Sequence, residues 1–166
     1  MTDDGGRGPH VALAGIGNSY RRDDGAGIAV AARVVAADPS LVDVGPVVDP
    51  LDLLGRWDDS DLVVVVDAVR AELPAGTVVV EALAGDSPSA GGDTGAGSVT
   101  SSHGIAVPGV LRLARAVGRA PGRVVLVGIV GSDFASGTEM SLAVRAAVPE
   151  AARRVLEIVA EARPCA

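Results

Sequence analysis

The apolar positions of this chain come in two textures. Residues 11–16, 62–66 and 123–130 form short, nearly unbroken apolar runs, the pattern of strands covered on both faces. The clearest is Leu62 with the four valines that follow it, ending in Asp67. Elsewhere the apolar residues recur three and four apart, as along one side of a helix. Residues 24–37 carry Ile28, Ala31 and Val35 at that spacing, with acids at the start and Pro39 just past the end, and predict a first helix. A weaker strand is predicted over 42–48 and a short helix over 51–57, with Leu53, Leu54 and Trp57 on its inner side.

After the Pro74-Ala-Gly76 turn, residues 77–83 read as another strand. Residues 84–102 are rich in Gly and Ser and read as a loop long enough to be functional or mobile. A helix follows over about 105–117, with Pro108 kinking it or delaying its regular start. Pro149 reads as a first-turn proline, so the last helix is predicted to begin there, showing Ala152, Val155, Leu156 and Val159 on one side. Strands alternating with helices predict an α/β fold: a three-layer α/β/α sandwich around a mostly parallel, twisted sheet, with residues 1–166 as one domain.

Composition narrows the function. The 166 residues carry a formal net charge of -7 and only one Trp, one Tyr and one Phe. That leaves neither a basic footprint nor a stacking platform for nucleic acid. All 14 basic residues are Arg, which removes a Walker-type phosphate loop and Schiff-base chemistry. Cys165 is the only cysteine, so no disulfide framework or multi-cysteine zinc site can form within the chain. No apolar run approaches the ~20 residues of a membrane span, and the acidic, Gly-rich start is unlike a signal peptide. The expectation is a cytoplasmic protein without membrane or nucleic-acid partners.

In such sheets ligands bind beyond the C-terminal ends of the strands. Three polar residues are expected there: Asp24 after the first strand, Asp67 after the valine run, and His103 at the end of the Gly/Ser loop. Each has a plain alternative. Asp23 and Asp24 can be a charge pair favoured by a helix N-terminus, and His103 can be a cap or surface residue. Asp67 is harder to set aside, because a carboxylate at the edge of an apolar core needs a partner, a metal or a cleft. Two carboxylates and an imidazole would suit a borderline divalent ion such as nickel or zinc. Asn18, the only Asn, is expected in a turn near Asp24, while His10 has only a plain reading. The dinucleotide fingerprint fails because Tyr20 stands where its third glycine would be, and neither G-x-S-x-G nor H-E-x-x-H occurs.

Gly15-Ile-Gly17-Asn18 through Asp23-Asp24-Gly25-Ala-Gly27, then Val64-Val65-Val66-Asp67-Ala68, then Ser102-His103-Gly104 resemble, in this order, the [NiFe]-hydrogenase maturation proteases. Val127-Gly128-Ile129 and the Gly-x-x-x-Ser stretch from Gly137 to Ser141 extend the likeness. Val48-Asp49-Pro50 stands where many members carry Gly-Gly-Thr. The resemblance implies a phosphorylase/hydrolase-like sandwich and an endopeptidase that removes a C-terminal extension from the hydrogenase large-subunit precursor once nickel is inserted. It further implies Asp24, Asp67 and His103 as metal-contacting residues, with nickel carried by the precursor. Asp24 and Asp67 are candidates for acid/base work as well, and the residues alone do not choose between a carboxylate and a metal-activated water. A non-cleaving nickel-binding assembly factor and a hydrolase of another substrate on the same scaffold remain the alternatives.

Overall fold

The computed structural model describes residues 8–83, 100–101 and 107–163, so His103 and Cys165 lie outside the described residues. Its centre is a sheet of six strands: β1 (Val11–Ile16), β2 (Val42–Val47), β3 (Leu62–Arg70), β4 (Val78–Leu83), β5 (Thr100–Ser101) and β6 (Arg123–Val130). The spatial order is β2-β1-β3-β6-β4, with β5 added to β3. β1, β2, β3 and β6 run parallel, whereas β4 is antiparallel to β6 and β5 to β3.

The valine run explains the position of β3. Eight of its nine residues are buried, and its side chains alternate between two apolar layers, as a pleated strand requires. Val64, Val66 and Ala68 pack with α1 (Ala26–Ala37) and α3 (Leu142–Ala162). Val63 and Val65 pack with α2 (Val107–Ala116), Leu53 and Trp57. The result is the expected three-layer α/β/α sandwich around a mostly parallel sheet.

Several boundaries differ from those the sequence predicts. β3 does not stop at Val66 but continues to Arg70, so Asp67 lies within the strand rather than after it. Asp24 is not in the first helix. A 3-10 turn, Arg22–Gly25, carries it, and α1 begins at Ala26. The predicted helix over 51–57 is reduced to a 3-10 turn, Pro50–Leu53, in which the Leu51 N–H donates to the Asp49 side chain. The last helix begins at Leu142, not near Pro149, which sits inside it. Pro149 faces solvent, where water can satisfy the carbonyl that its missing N–H leaves unbonded. Pro108 is the second residue of α2, a first-turn position at which no helical N–H is lost.

Candidate active site

β1 leads through α1 on one face to β2. The chain then returns across β1 to β3 on its other side. The strand order therefore reverses between β1 and β3, and the crevice beyond their C-terminal ends is the ligand position of a doubly wound sheet. Both predicted carboxylates lie at this end.

Gly15 pairs with Val66, so Asp67 is one residue further along β3, level with the end of β1. It is 1% exposed. By strand alternation its side chain projects on the Val63 and Val65 face, the side that carries α2. Asp24 is fully buried in the 3-10 turn that follows β1, and its Oδ2 accepts the Asn18 N–H at 3.1 Å. Asn18 makes the expected turn: its Oδ1 accepts the Tyr20 N–H at 2.9 Å, and its carbonyl accepts the Arg21 N–H.

Two glycines allow this close assembly. Gly17 has φ +143, and a Cβ there would stand 1.8 Å from the Asp24 carbonyl oxygen. At Gly27 a Cβ would lie 2.3 Å from the Ile16 carbonyl oxygen and 2.4 Å from that of Val66. The start of α1 is thus pressed against the ends of both strands, three residues after Asp24.

Asp23 plays a different part from its neighbour, and the sequence reading missed it. Its Oδ2 accepts N–H groups from Ser132 and Asp133, both at 2.9 Å, and the Ser141 hydroxyl at 3.0 Å. Its Oδ1 accepts the Ser141 N–H at 2.7 Å. Burial alone would push this carboxyl up, but the N–H groups of Ser132, Ser141 and Asp133, with the Ser141 hydroxyl, hold it below the ordinary carboxylate value. The Gly-x-x-x-Ser spacing was the one sequence signal pointing to this partner.

Among the described residues no cluster of three or more His, Cys, Asp or Glu is placed to hold a metal. His103 lies outside them. His10 sits before β1, at the opposite end of the sheet, with Nδ1 3.5 Å from the Ser60 hydroxyl, in keeping with its plain reading. A surface hollow of about 230 Å³ lies between β4 and α3 beside Val80 and Glu161, away from Asp24 and Asp67. None of the described helices is long and apolar enough to cross a membrane.

The fold is that of the doubly wound α/β enzymes, with two buried carboxylates at the switch point. Comparison with known proteins makes this specific. The family model of the hydrogenase maturation proteases, HycI, matches residues 34–158, and the chain belongs to that family. Its class is therefore a protease, and Asp67 and His103 fall within the matched segment while Asp24 precedes it.

Among solved structures, the hydrogenase maturating endopeptidase HybD from E. coli is similar at TM-score 0.70 and 20% identity, over 92% of this chain and 93% of that one. The [NiFe] hydrogenase maturation protease HybD from Thermococcus kodakarensis is similar at TM-score 0.69 and 22% identity, over 90% and 98%. HycI from Thermococcus kodakarensis KOD1 gives 0.63 and 23%, over 96% and 94%. No curated protein matches the sequence.

Proposed function

We propose that this protein is an endopeptidase that removes a C-terminal extension from the large-subunit precursor of a [NiFe]-hydrogenase after nickel insertion. The observation that carries the reading is the pair Asp24 and Asp67: two fully buried carboxylates, from separate elements, at the switch point of a maturation-protease fold. Two carboxylates joined by an imidazole suit a borderline divalent ion, and a site with few protein ligands completes the coordination of an ion delivered on substrate thiolates better than it retains one alone. Nickel is here part of the substrate and reports that the precursor is loaded.

His103 is proposed as the third ligand. β6 occupies one edge of β3 as far as the Val69–Val130 pair, so β5 uses the other edge, the one β1 leaves after Val66. β5 pairs Thr100 with Arg70 and Ser101 with Val69. Its direction therefore runs back along β3 towards Asp67, and His103 is two residues further on in the sequence. That direction supports a histidine joining the two carboxylates.

In the reaction, water adds to the scissile carbonyl carbon while Asp24 or Asp67 accepts its proton. The same carboxyl returns the proton to the departing amine. Burial of both carboxylates keeps bulk water from competing for these transfers. The test is incubation with precursor that is nickel-loaded or nickel-free. A shortened large subunit from the loaded form alone is expected. A stable complex without shortening would replace this reading with a non-cleaving assembly factor, and absence of any interaction would point to another substrate.

A further inference from the structure

We infer that Asp23 is a positioning residue for Asp24, acting through a latch formed with the segment between β6 and α3; the inference rests on Asp24 being a site residue. Asp23 and Asp24 are adjacent and equally buried, but they face different structures. The four short hydrogen bonds to Asp23 come from Ser132 and Asp133, just after β6, and from Ser141, just before α3. One carboxylate thus ties together both ends of the connection.

The backbone continues the latch. The Asp23 N–H donates to the Asp133 carbonyl at 3.0 Å, the Arg22 N–H to the Gly137 carbonyl at 2.9 Å, and the Gly137 N–H to the Tyr20 carbonyl at 2.9 Å. The turn that carries Asp24 is therefore held residue by residue along its outer side. Arg22 has φ 48, a left-handed conformation that a non-glycine residue keeps only when its surroundings enforce it. Gly137 has φ +149, and a Cβ there would stand 2.9 Å from Arg22 Nε. Glycine at 137 permits the close approach, and Ser141 supplies two donors to the carboxylate. This gives the Gly-x-x-x-Ser spacing a function: it orients the residue after Asp23.

A latch of this kind adjusts catalytic geometry, and small displacements of a reacting group lower turnover without weakening substrate docking. The test uses Ser141→Ala, Ser141→Thr and Asp23→Asn in the full-length chain, assayed with nickel-loaded precursor well below each variant's unfolding temperature. Ser141→Ala should lower kcat about tenfold with KM for the precursor unchanged, Ser141→Thr should restore most of it, and Asp23→Asn should lose more. If Ser141→Ala turns over precursor at the normal kcat, with only its Tm lowered, Asp23 is structural alone and the inference fails. Ser141→Ala decides the matter even where Asp23→Asn does not fold. Asp24→Asn is the separate control: full processing by that variant overturns the site assignment itself, whereas its inactivity beside a normal Ser141→Ala overturns only the latch.

Discussion

Asp67 stands directly opposite Gly128 in the parallel ladder between β3 and β6. A Cβ on Gly128 would lie 2.8 Å from Val79 Cγ2 and 3.0 Å from both γ-methyls of Val69. Valine methyl groups thus already occupy the space a side chain would need beside the carboxylate. The flank of Asp67 towards β4 is therefore apolar.

Asp67→Asn should keep the fold and lose the chemistry. The amide has the volume of the carboxylate and some of its hydrogen-bonding capacity, but neither the charge for a cation nor the basicity to take a proton. Thermal unfolding should shift little while precursor processing falls by about 100-fold or more, in the range that general acid–base groups supply. Normal processing by the folded variant would remove Asp67 from the mechanism.

Gly27→Ala should be among the most damaging small substitutions in the chain. Its methyl would meet two strand carbonyls at 2.3 and 2.4 Å, and backbone oxygens of buried strands cannot retreat as a side chain can. The expected loss is about 3 kcal/mol, the upper part of the range for overpacked interiors, read from urea unfolding. A variant as stable as the parent would show that α1 is free to move away from the strand ends.

Stability should depend on Asp38 in acid. The Ser40 hydroxyl bonds its carboxylate, burial opposes, and the Ser40 N–H with Arg163 adds to the lowering, so that the carboxyl is held below its usual value. A depressed folded pKa stabilises at pH values above the unfolded one, near 4, and that contribution is lost as pH falls through the folded value. Asp38→Asn should therefore unfold about 2 °C below the parent at neutral pH, as a partly exposed pair allows. The difference should vanish in strong acid, and a gap that stayed constant down to that range would exclude ionisation of Asp38 as its cause.

Pro149→Ala should stabilise the protein. Proline inside a helix is about 3 kcal/mol worse than alanine, and roughly 1 kcal/mol of that is offset by the stiffer unfolded chain. The exposed ring of Pro149 gives up no core packing, so a gain of about 2 kcal/mol is expected from denaturant unfolding. No gain, or a loss, would mean that α3 needs the local bend.

The parallel core was legible because its signal is simple. Four valines in a row can be buried only by layers on both sides, and that places β3 at the centre. That Asp24 and Asp67 lie at the same end of the sheet was legible from the strand pattern, although β3 runs on past Asp67; their shared role is a proposal. The role of Asp23 was not legible, because its partners lie more than a hundred residues away and three of its donors are backbone N–H groups, which any residue except proline supplies. The start of α3 was hidden for the same reason. It is anchored at Ser141 through Asp23, while the local proline signal at 149 marks only a solvent-facing position that tolerates a missing donor.

The enclosure of β3 also sets how this protein wears out. Backbone amides in a strand hydrogen-bonded on both edges and covered on both faces exchange with solvent only when the whole structure opens. Val63 through Val66, paired with β1 on one edge and β6 on the other, should belong to that slowest class. A folded but locally frayed form that opens the centre of this strand then has no low-energy route, and heat should remove activity and deuterium protection at Val63 to Val66 together, in a single cooperative step.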